Sequence, residues 1–177
     1  KIDTQGNVLE FFKGSKDCLK KCVDYQESID KAAFDNFGDK VINCMGMSNL
    51  NAFTRPYTTI SRNSDDYSPD RRESFTSHIM QNAYNAVFHG KLYICDYDMW
   101  WSKHTTAKVS SVLRAISGGP VYISDKINET DSEYINPIVD ESGNIREMDG
   151  SAVPTYDCLF SSPENSVLKL FNKIGKE

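Results

Sequence analysis

Apolar and polar positions fall in blocks along this chain. Short apolar runs at Val41-Ile42-Asn43-Cys44, Thr59-Ile60-Ser61-Arg62, Leu92-Tyr93-Ile94-Cys95-Asp96-Tyr97-Asp98 and Val121-Tyr122-Ile123-Ser124-Asp125 each close on polar, mostly ionisable residues, and Lys1-Ile2-Asp3 reads as the last residues of one more. Runs of this length, rich in Val, Ile and Tyr, predict strands. Between them apolar residues recur at helical spacing. Ile29, Ala32, Ala33 and Phe34 define a helix over Val23–Phe37 that stops at Gly38. Phe75, Ile79, Ala83, Ala86 and Val87 define a second over Ser74–Phe88, with Ser74 as N-cap and Gly90 as the stop. Val109, Val112, Leu113 and Ile116 define the inward face of a third over Ser102–Ile116, ended by Gly118-Gly119. The segment Met45–Thr58, with Ser48, Asn49, Asn51 and Pro56, predicts a long loop. Beyond Asp125 the pattern weakens to a short helix over Asp131–Val139, a turn at Asp140–Asn144 and a strand-like alternation over Val167–Phe171.

Strands that alternate with helices imply parallel pairing through right-handed crossovers, and so an α/β fold. In a parallel sheet or barrel every strand points the same way, so reacting groups gather on the rim formed by the loops after the strands. Ionisable clusters at successive strand ends therefore predict an enzyme. A complete (β/α)8 barrel takes about 250 residues, against 177 here. The expectation is the C-terminal half of a TIM barrel over residues 1–160, truncated at its N-terminus and partnered by the N-terminal half of the same barrel. Residues 161–177 are then a linker and the first strand of a following β domain.

The hydrophobic content of 39% is enough for a buried core. A net charge of -5, with Lys20-Lys21 and Arg71-Arg72 interleaved with acids, excludes a nucleic-acid stripe. No apolar run approaches the roughly 20 residues needed to cross a bilayer. Cys44, Cys95 and Cys158 sit in apolar stretches, as reduced thiols of a cytoplasmic protein would. Cys18 and Cys22 could share a metal or a disulfide, but no second Cys or His pair completes a zinc set, and no cofactor is expected. His78, His89 and His104 fall in or beside helices, away from strand ends, where surface or packing roles are expected.

The strand ends carry more specific sequence. Lys1-Ile2-Asp3 followed by Gln5 resembles the K-x-D strand end of retaining α-galactosidases in glycoside hydrolase family 36. Arg62-Asn63-Ser64-Asp65-Asp66-Tyr67, Asp96-Tyr97-Asp98-Met99-Trp100, Gly118-Gly119-Pro120-Val121-Tyr122-Ile123-Ser124-Asp125-Lys126 and Pro154-Thr155-Tyr156-Asp157-Cys158-Leu159-Phe160 resemble the raffinose synthase and seed-imbibition-protein branch of that family. These matches run in order over nearly the whole chain.

The resemblance implies a barrel catalytic domain followed by a β-rich domain, a retaining glycoside hydrolase that cleaves α-galactosides of the raffinose series by double displacement through a covalent galactosyl-Asp intermediate. Asp3 would be the nucleophile and Lys1 a donor to sugar hydroxyls. An acid/base Asp four residues after a pocket Arg selects Asp66, counted from Arg62, with Asp65 as the alternative; adjacent residues of an extended segment point oppositely, so only one faces the pocket. Arg62, Cys44, Asp98 and Asp125 would line the sugar site, with Asp96 and Asp98 on one strand face and Trp100-Trp101 available for stacking on a sugar ring. Each has a plainer reading: a salt bridge for Arg62, core packing for Cys44 and the tryptophans, structural hydrogen bonds for the carboxylates. Asp3, Cys44, Arg62, Asp66, Asp98 and Asp125 would then share one rim, with nucleophile and acid/base about 5 to 5.5 Å apart for a retaining enzyme. The alternatives are a galactosyl transferase, in which a sugar hydroxyl replaces water, and a sugar-binding barrel that has lost turnover.

Overall fold

The computed structural model describes residues 1–163 and 165–175. The chain divides into two compact units, the first comprising Lys1–Arg62 with Leu92–Ile94, the second Asn63–Lys91 and the chain from Cys95 onward.

The first unit contains a 3-10 turn at Gln5–Asn7, α1 (Val8–Phe11), α2 (Cys18–Phe37), β1 (Ile42–Asn43), α3 (Asn49–Phe53) and β2 (Ile60–Arg62). β1 and β2 are parallel, with Ile42 opposite Ile60 and Asn43 opposite Ser61. Lys1-Ile2-Asp3 runs alongside as a strand end: Ile2 donates its N–H to Ile42 O at 3.0 Å, and Cys44 returns one to Ile2 O at 2.8 Å. On the other side of β2, Ile94 donates to Thr59 O at 2.8 Å as β3 (Ile94–Asp96) begins, giving the order β1-β2-β3. The result is a mixed α/β arrangement built on a parallel sheet.

α2 ends at Gly38 as its sequence predicts, because the closing residue has φ 66°, a left-handed conformation that costs glycine nothing. The predicted loop between β1 and β2 contains a short helix, α3. Ser48 caps it by accepting the N–H of Asn51 at 3.3 Å, and a helix this short shows too few turns for its periodicity to be read.

The second unit contains α4 (Arg72–His89), α5 (Ala107–Ser117), 3-10 turns at Ser132–Tyr134 and Asn136–Ile138, β4 (Val153–Pro154), α6 (Tyr156–Leu159) and β5 (Leu170–Phe171). α4 begins before Ser74, with Arg71 at the N-cap position. α5 begins later than expected, since Trp101–Thr106 form turns. The Val121–Asp125 run is strand-like only where Ile123 bridges Trp100 in parallel; Trp100 donates to Tyr122 O at 3.3 Å and Ser124 to Trp100 O at 3.0 Å. Pro137 removes an amide donor from 131–139, and the expected helix there is two 3-10 turns. At 140–144 Asp140 Oδ1 accepts the N–H groups of Ser142 and Asn144, both at 2.9 Å, forming the predicted turn. β5 pairs antiparallel with β4, Val153 opposite Phe171. Residues 164, 176 and 177 of the expected 161–177 linker lie outside the described residues.

The buried faces of α4 and α5 differ from the apolar stripes in their sequences. α5 buries Ala107, Ser110, Ser111, Leu113, Arg114 and Ser117, while Val109 and Val112 are 51% and 53% exposed. Small residues let a helix approach its support closely, so the inward face is the small and polar one. α4 likewise buries His78 and Asn82 beside Ala83 and Ala86, with Val87 exposed.

Gly118-Gly119 does more than end α5. A Cβ at Gly118 would lie 1.9 Å from Gly150 O, and one at Gly119 would lie 2.1 Å from Cys95 O. The second contact is between two backbones and cannot relax by a rotamer change. Gly119→Ala should therefore destabilise the full-length protein by about 3 kcal/mol, the upper part of the overpacking range, read as a lower urea midpoint at unchanged slope.

Candidate active site

The end of Lys1-Ile2-Asp3 and the ends of β1 and β2 place Asp3, Cys44 and Arg62 together in the first unit. Asp3 Oδ1 accepts the backbone N–H of Thr4 at 2.7 Å. Thr4 has φ 61°, a costly position for a β-branched residue, and this turn directs its amide onto the carboxylate. The Thr4 amide and then the Cys44 thiol hold the Asp3 pKa below the ordinary carboxylate value against the opposing effect of burial, with weaker help from the cationic Lys1 and Arg62. Cys44 is shifted the other way, because burial and its hydrogen bond to Asp3 favour the protonated thiol. The thiol is thus a donor to the carboxylate, and Arg62, 2% exposed, adds positive charge.

The sign of this coupling is testable. Removing the thiol donor in Cys44→Ala should raise the Asp3 pKa, since a bond to the charged form is lost. The acid limb of the kcat/KM profile of the full-length enzyme should move to higher pH. Because Asp3's folded-state pKa is depressed, its contribution to stability is present above its unfolded value of 3.8 and is lost as pH falls through the lower folded one.

Beneath this group runs a line of buried amides that the sequence pattern did not reveal. Asn51 Nδ2 donates to Gln26 Oε1 at 2.8 Å, Gln26 Nε2 to Gln5 Oε1 at 2.8 Å, Gln5 Nε2 to Asn43 Oδ1 at 2.7 Å and Asn43 Nδ2 to Thr58 Oγ1 at 2.9 Å. Thr58 Oγ1 donates in turn to buried Asp30, whose other oxygen accepts the N–H of Tyr57 at 2.8 Å. Gln5 also donates to Ile2 O at 3.2 Å, and Asn51 to Gln5 O at 3.2 Å. The line therefore fixes the backbone on both sides of Asp3.

In the second unit, fully buried Asn63 secures the segment that carries the paired aspartates. It donates its N–H to Asp96 O at 3.0 Å and its side chain to Asn82 O at 2.9 Å, and it accepts from Asn85 and His89 of α4. Asp65 is tied to α4: its N–H donates to Gln81 Oε1 at 2.7 Å, and its Oδ2 accepts Gln81 Nε2 at 2.8 Å. Asp66 is exposed. The following residue, Tyr67, donates its N–H to Asp98 Oδ2 at 2.8 Å.

Asp98 is 2% exposed and has φ 67°. That left-handed turn follows directly on the end of β3 at Asp96. The Asp98 carboxylate accepts from Tyr67, from the Met99 N–H at 2.8 Å and from Tyr122 Oη at 3.4 Å, while Tyr122 also donates to Asp96 Oδ2 at 3.0 Å. The expected sugar ligand Asp98 is thus bound to protein donors, and its visible action is on the backbone next to Asp66.

Arg114, fully buried on α5, lies behind these carboxylates. Its guanidinium donates to Asp98 O at 3.2 Å, Met99 O at 3.1 Å and His78 Nε2 at 2.9 Å, and sits 5.2 Å from the Tyr67 ring centroid. Burial pushes its pKa down to about 10, against the opposing effects of Tyr67, Asp98, Asp96 and Tyr122. An arginine only donates, so His78 Nε2 is the acceptor and Nδ1 carries the proton, donated to Asp65 O at 2.8 Å. His78 therefore joins helix α5 to the aspartate segment, a packing role. A lone Arg in phase with Ala107, Ser110, Ser111 and Ser117 was the available signal.

Trp100, expected to stack on a sugar, is 0% exposed and packs with Tyr67 and Ala107. A ring with no exposed face has none to offer a ligand. The neighbouring Trp101 is half-buried and reaches the surface. Asp125 accepts from Ser102 N–H at 2.8 Å and Ser102 Oγ at 2.6 Å.

Residues 1–175 match the family model described as raffinose synthase or seed imbibition protein Sip1. The chain belongs to this family, the branch of glycoside hydrolase family 36 whose motifs its strand ends carry. It is 33% identical over 177 residues to a probable galactinol–sucrose galactosyltransferase 1 of Arabidopsis thaliana, covering 97% of this chain and 23% of the relative. It is 35% identical over 176 residues to a probable galactinol–sucrose galactosyltransferase 6 of the same plant, covering 97% and 24%. It is 38% identical over 103 residues to the stachyose synthase of Pisum sativum, covering 55% of this chain and 12% of the relative. The chain spans about a quarter of the length of the two Arabidopsis relatives.

Proposed function

We propose that this chain is the C-terminal half of a (β/α)8 catalytic barrel that transfers α-galactosyl groups between sugars by double displacement. The observation that carries the reading is the setting of Asp3, held ionised at a strand end by the Thr4 amide, the Cys44 thiol and nearby cations, in a member of the raffinose synthase family. A nucleophilic carboxylate must stay charged without being neutralised by a direct proton donor of low pKa, and a protonated thiol meets that need.

In the first step an Asp3 oxygen bonds to the anomeric carbon as the glycosidic bond breaks, and the leaving oxygen takes the proton of Asp66. In the second an acceptor hydroxyl gives its proton to the Asp66 carboxylate, its oxygen bonds to the anomeric carbon, and the bond to Asp3 breaks. Two inversions give net retention. The spacing of four residues after Arg62 supports Asp66 for the acid/base role. No metal or organic cofactor enters either step.

The names of the relatives favour a sugar acceptor over water, so transfer takes precedence over the hydrolysis that the α-galactosidase-like Lys1-Ile2-Asp3 suggests. Full-length enzyme given galactinol and sucrose should form a galactosylated sucrose. Free galactose as the main product from either galactinol or raffinose would mean hydrolysis instead, and binding without turnover would mean a sugar-binding barrel.

A further inference from the structure

We propose that the hollow beside Trp101 in the second unit is the acceptor subsite, and that it takes an uncharged saccharide. This rests on the reading of Asp66 as acid/base. That residue must accept the proton of the incoming hydroxyl, so the acceptor has to bind on its side of the donor sugar. The hollow has a volume of about 340 Å3 and is lined by Trp101, Lys103, His104, Asp125, Lys126 and Glu129, within the range of small-ligand sites. It connects directly to the segment that carries Asp66. The next residue, Tyr67, meets Trp101 edge-to-face with ring centroids 5.9 Å apart, and its hydroxyl accepts the Trp101 N–H at 3.5 Å.

The chemistry of the lining selects the ligand class. One indole provides an apolar surface for the C–H face of a sugar ring. Two lysines and two carboxylates surround it, offering donors and acceptors together, as a polyol with both kinds of group on every hydroxyl requires. A phosphorylated ligand would meet Asp125 and Glu129, and an aliphatic one would strand four charges.

The walls are also held before anything binds. Asp125 is fixed by both groups of Ser102, whose Oγ accepts the Asp131 N–H at 2.7 Å, so the two loops that supply the lining are tied together. Trp101 is braced by His104, with centroids 5.8 Å apart, and His104 Nδ1 bonds Thr106 Oγ1 at 2.8 Å. A pre-ordered wall spares the ligand the entropy of ordering it.

The test uses full-length enzyme with an aryl α-galactoside as donor and sucrose as acceptor, counting galactosylated sucrose against free galactose. Trp101→Ala should raise the acceptor KM at least tenfold and lower the transfer-to-hydrolysis ratio by a similar factor, and Trp101→Phe should recover most of both. Lys126→Ala combined with Glu129→Ala, at exposed rim positions, should raise the acceptor KM several-fold, and this pair decides the matter if Trp101→Ala does not fold. Unchanged acceptor KM and product ratio in a variant that still releases the aryl group would overturn the subsite and leave the transfer mechanism standing. No release of the aryl group by the unmodified enzyme would instead remove the mechanism on which the subsite rests.

Discussion

Asp3→Gly in the full-length enzyme is expected to lower turnover of an aryl α-galactoside by about 10^4-fold or more, the scale on which loss of a nucleophile is felt. Azide should restore release of the aryl group, with a galactosyl azide of inverted configuration as product, because the small anion occupies the space of the missing carboxylate and attacks once. Asp66→Gly should behave differently. With a leaving group that needs no proton, the first step still proceeds through Asp3, and azide resolves the intermediate to the retained galactosyl azide. Opposite stereochemistry from the two variants assigns the two roles independently. If Asp65→Gly rather than Asp66→Gly gave the retained azide, the acid/base would be the residue bound to Gln81. If neither Asp3→Gly nor Asp66→Gly slowed turnover, the double-displacement assignment would fail.

Arg114→Ala is expected to cost about 3 to 5 kcal/mol of stability, the range for removing one partner from a buried charge cluster. The loss removes the guanidinium donor from the carbonyls of Asp98 and Met99 and from the Nε2 of His78, which keeps Asn82 Nδ2 at 3.2 Å, deletes the cation over Tyr67, and removes the positive charge facing Asp96 and Asp98. Arg114→Lys should recover less than half of that, because an ammonium cannot reach three acceptors through one planar fork. Urea unfolding of the full-length protein measures both. A cost under about 1 kcal/mol for the alanine variant, the value of a surface ion pair, would show that the cluster does not depend on this residue.

The parallel strands, the stop of α2 at Gly38 and the strand-end group of Asp3, Cys44 and Arg62 were legible because each has a local signature: an apolar run, a helix-closing glycine, a polar cluster in a fixed order. What escaped the sequence has non-local causes. The inward face of α5 is set by how closely the helix approaches its neighbours, so Ser110, Ser111 and Arg114 displaced the more hydrophobic Val109 and Val112. Asp98 leaves the β-region at φ 67°, and Trp100, which an aromatic residue near a strand end offered for stacking on a sugar, is buried against Tyr67 and Ala107 instead. Gln5, Gln26, Asn43 and Asn51 come from four separate stretches of chain, and no window of sequence contains two of them at a meaningful spacing.

Those four amides have a further property as a set: the line has a polarity. Each side chain offers its nitrogen to the next and its oxygen to the one before, and Asp30 stands at the end with oxygens only. Turning one amide over would set nitrogen against nitrogen or oxygen against oxygen, and the mismatch would pass from neighbour to neighbour until the Thr58 hydroxyl turned away from Asp30. An acceptor-only terminus thus chooses one of two otherwise equivalent orientations for side chains as distant as Asn51. Exchanging a single nitrogen for oxygen, as in Gln26→Glu, alters no shape and scarcely any volume, yet it cuts this one-way line next to the residue that supports Asp3. At these positions glutamine and glutamate are no more interchangeable than the two ends of a magnet.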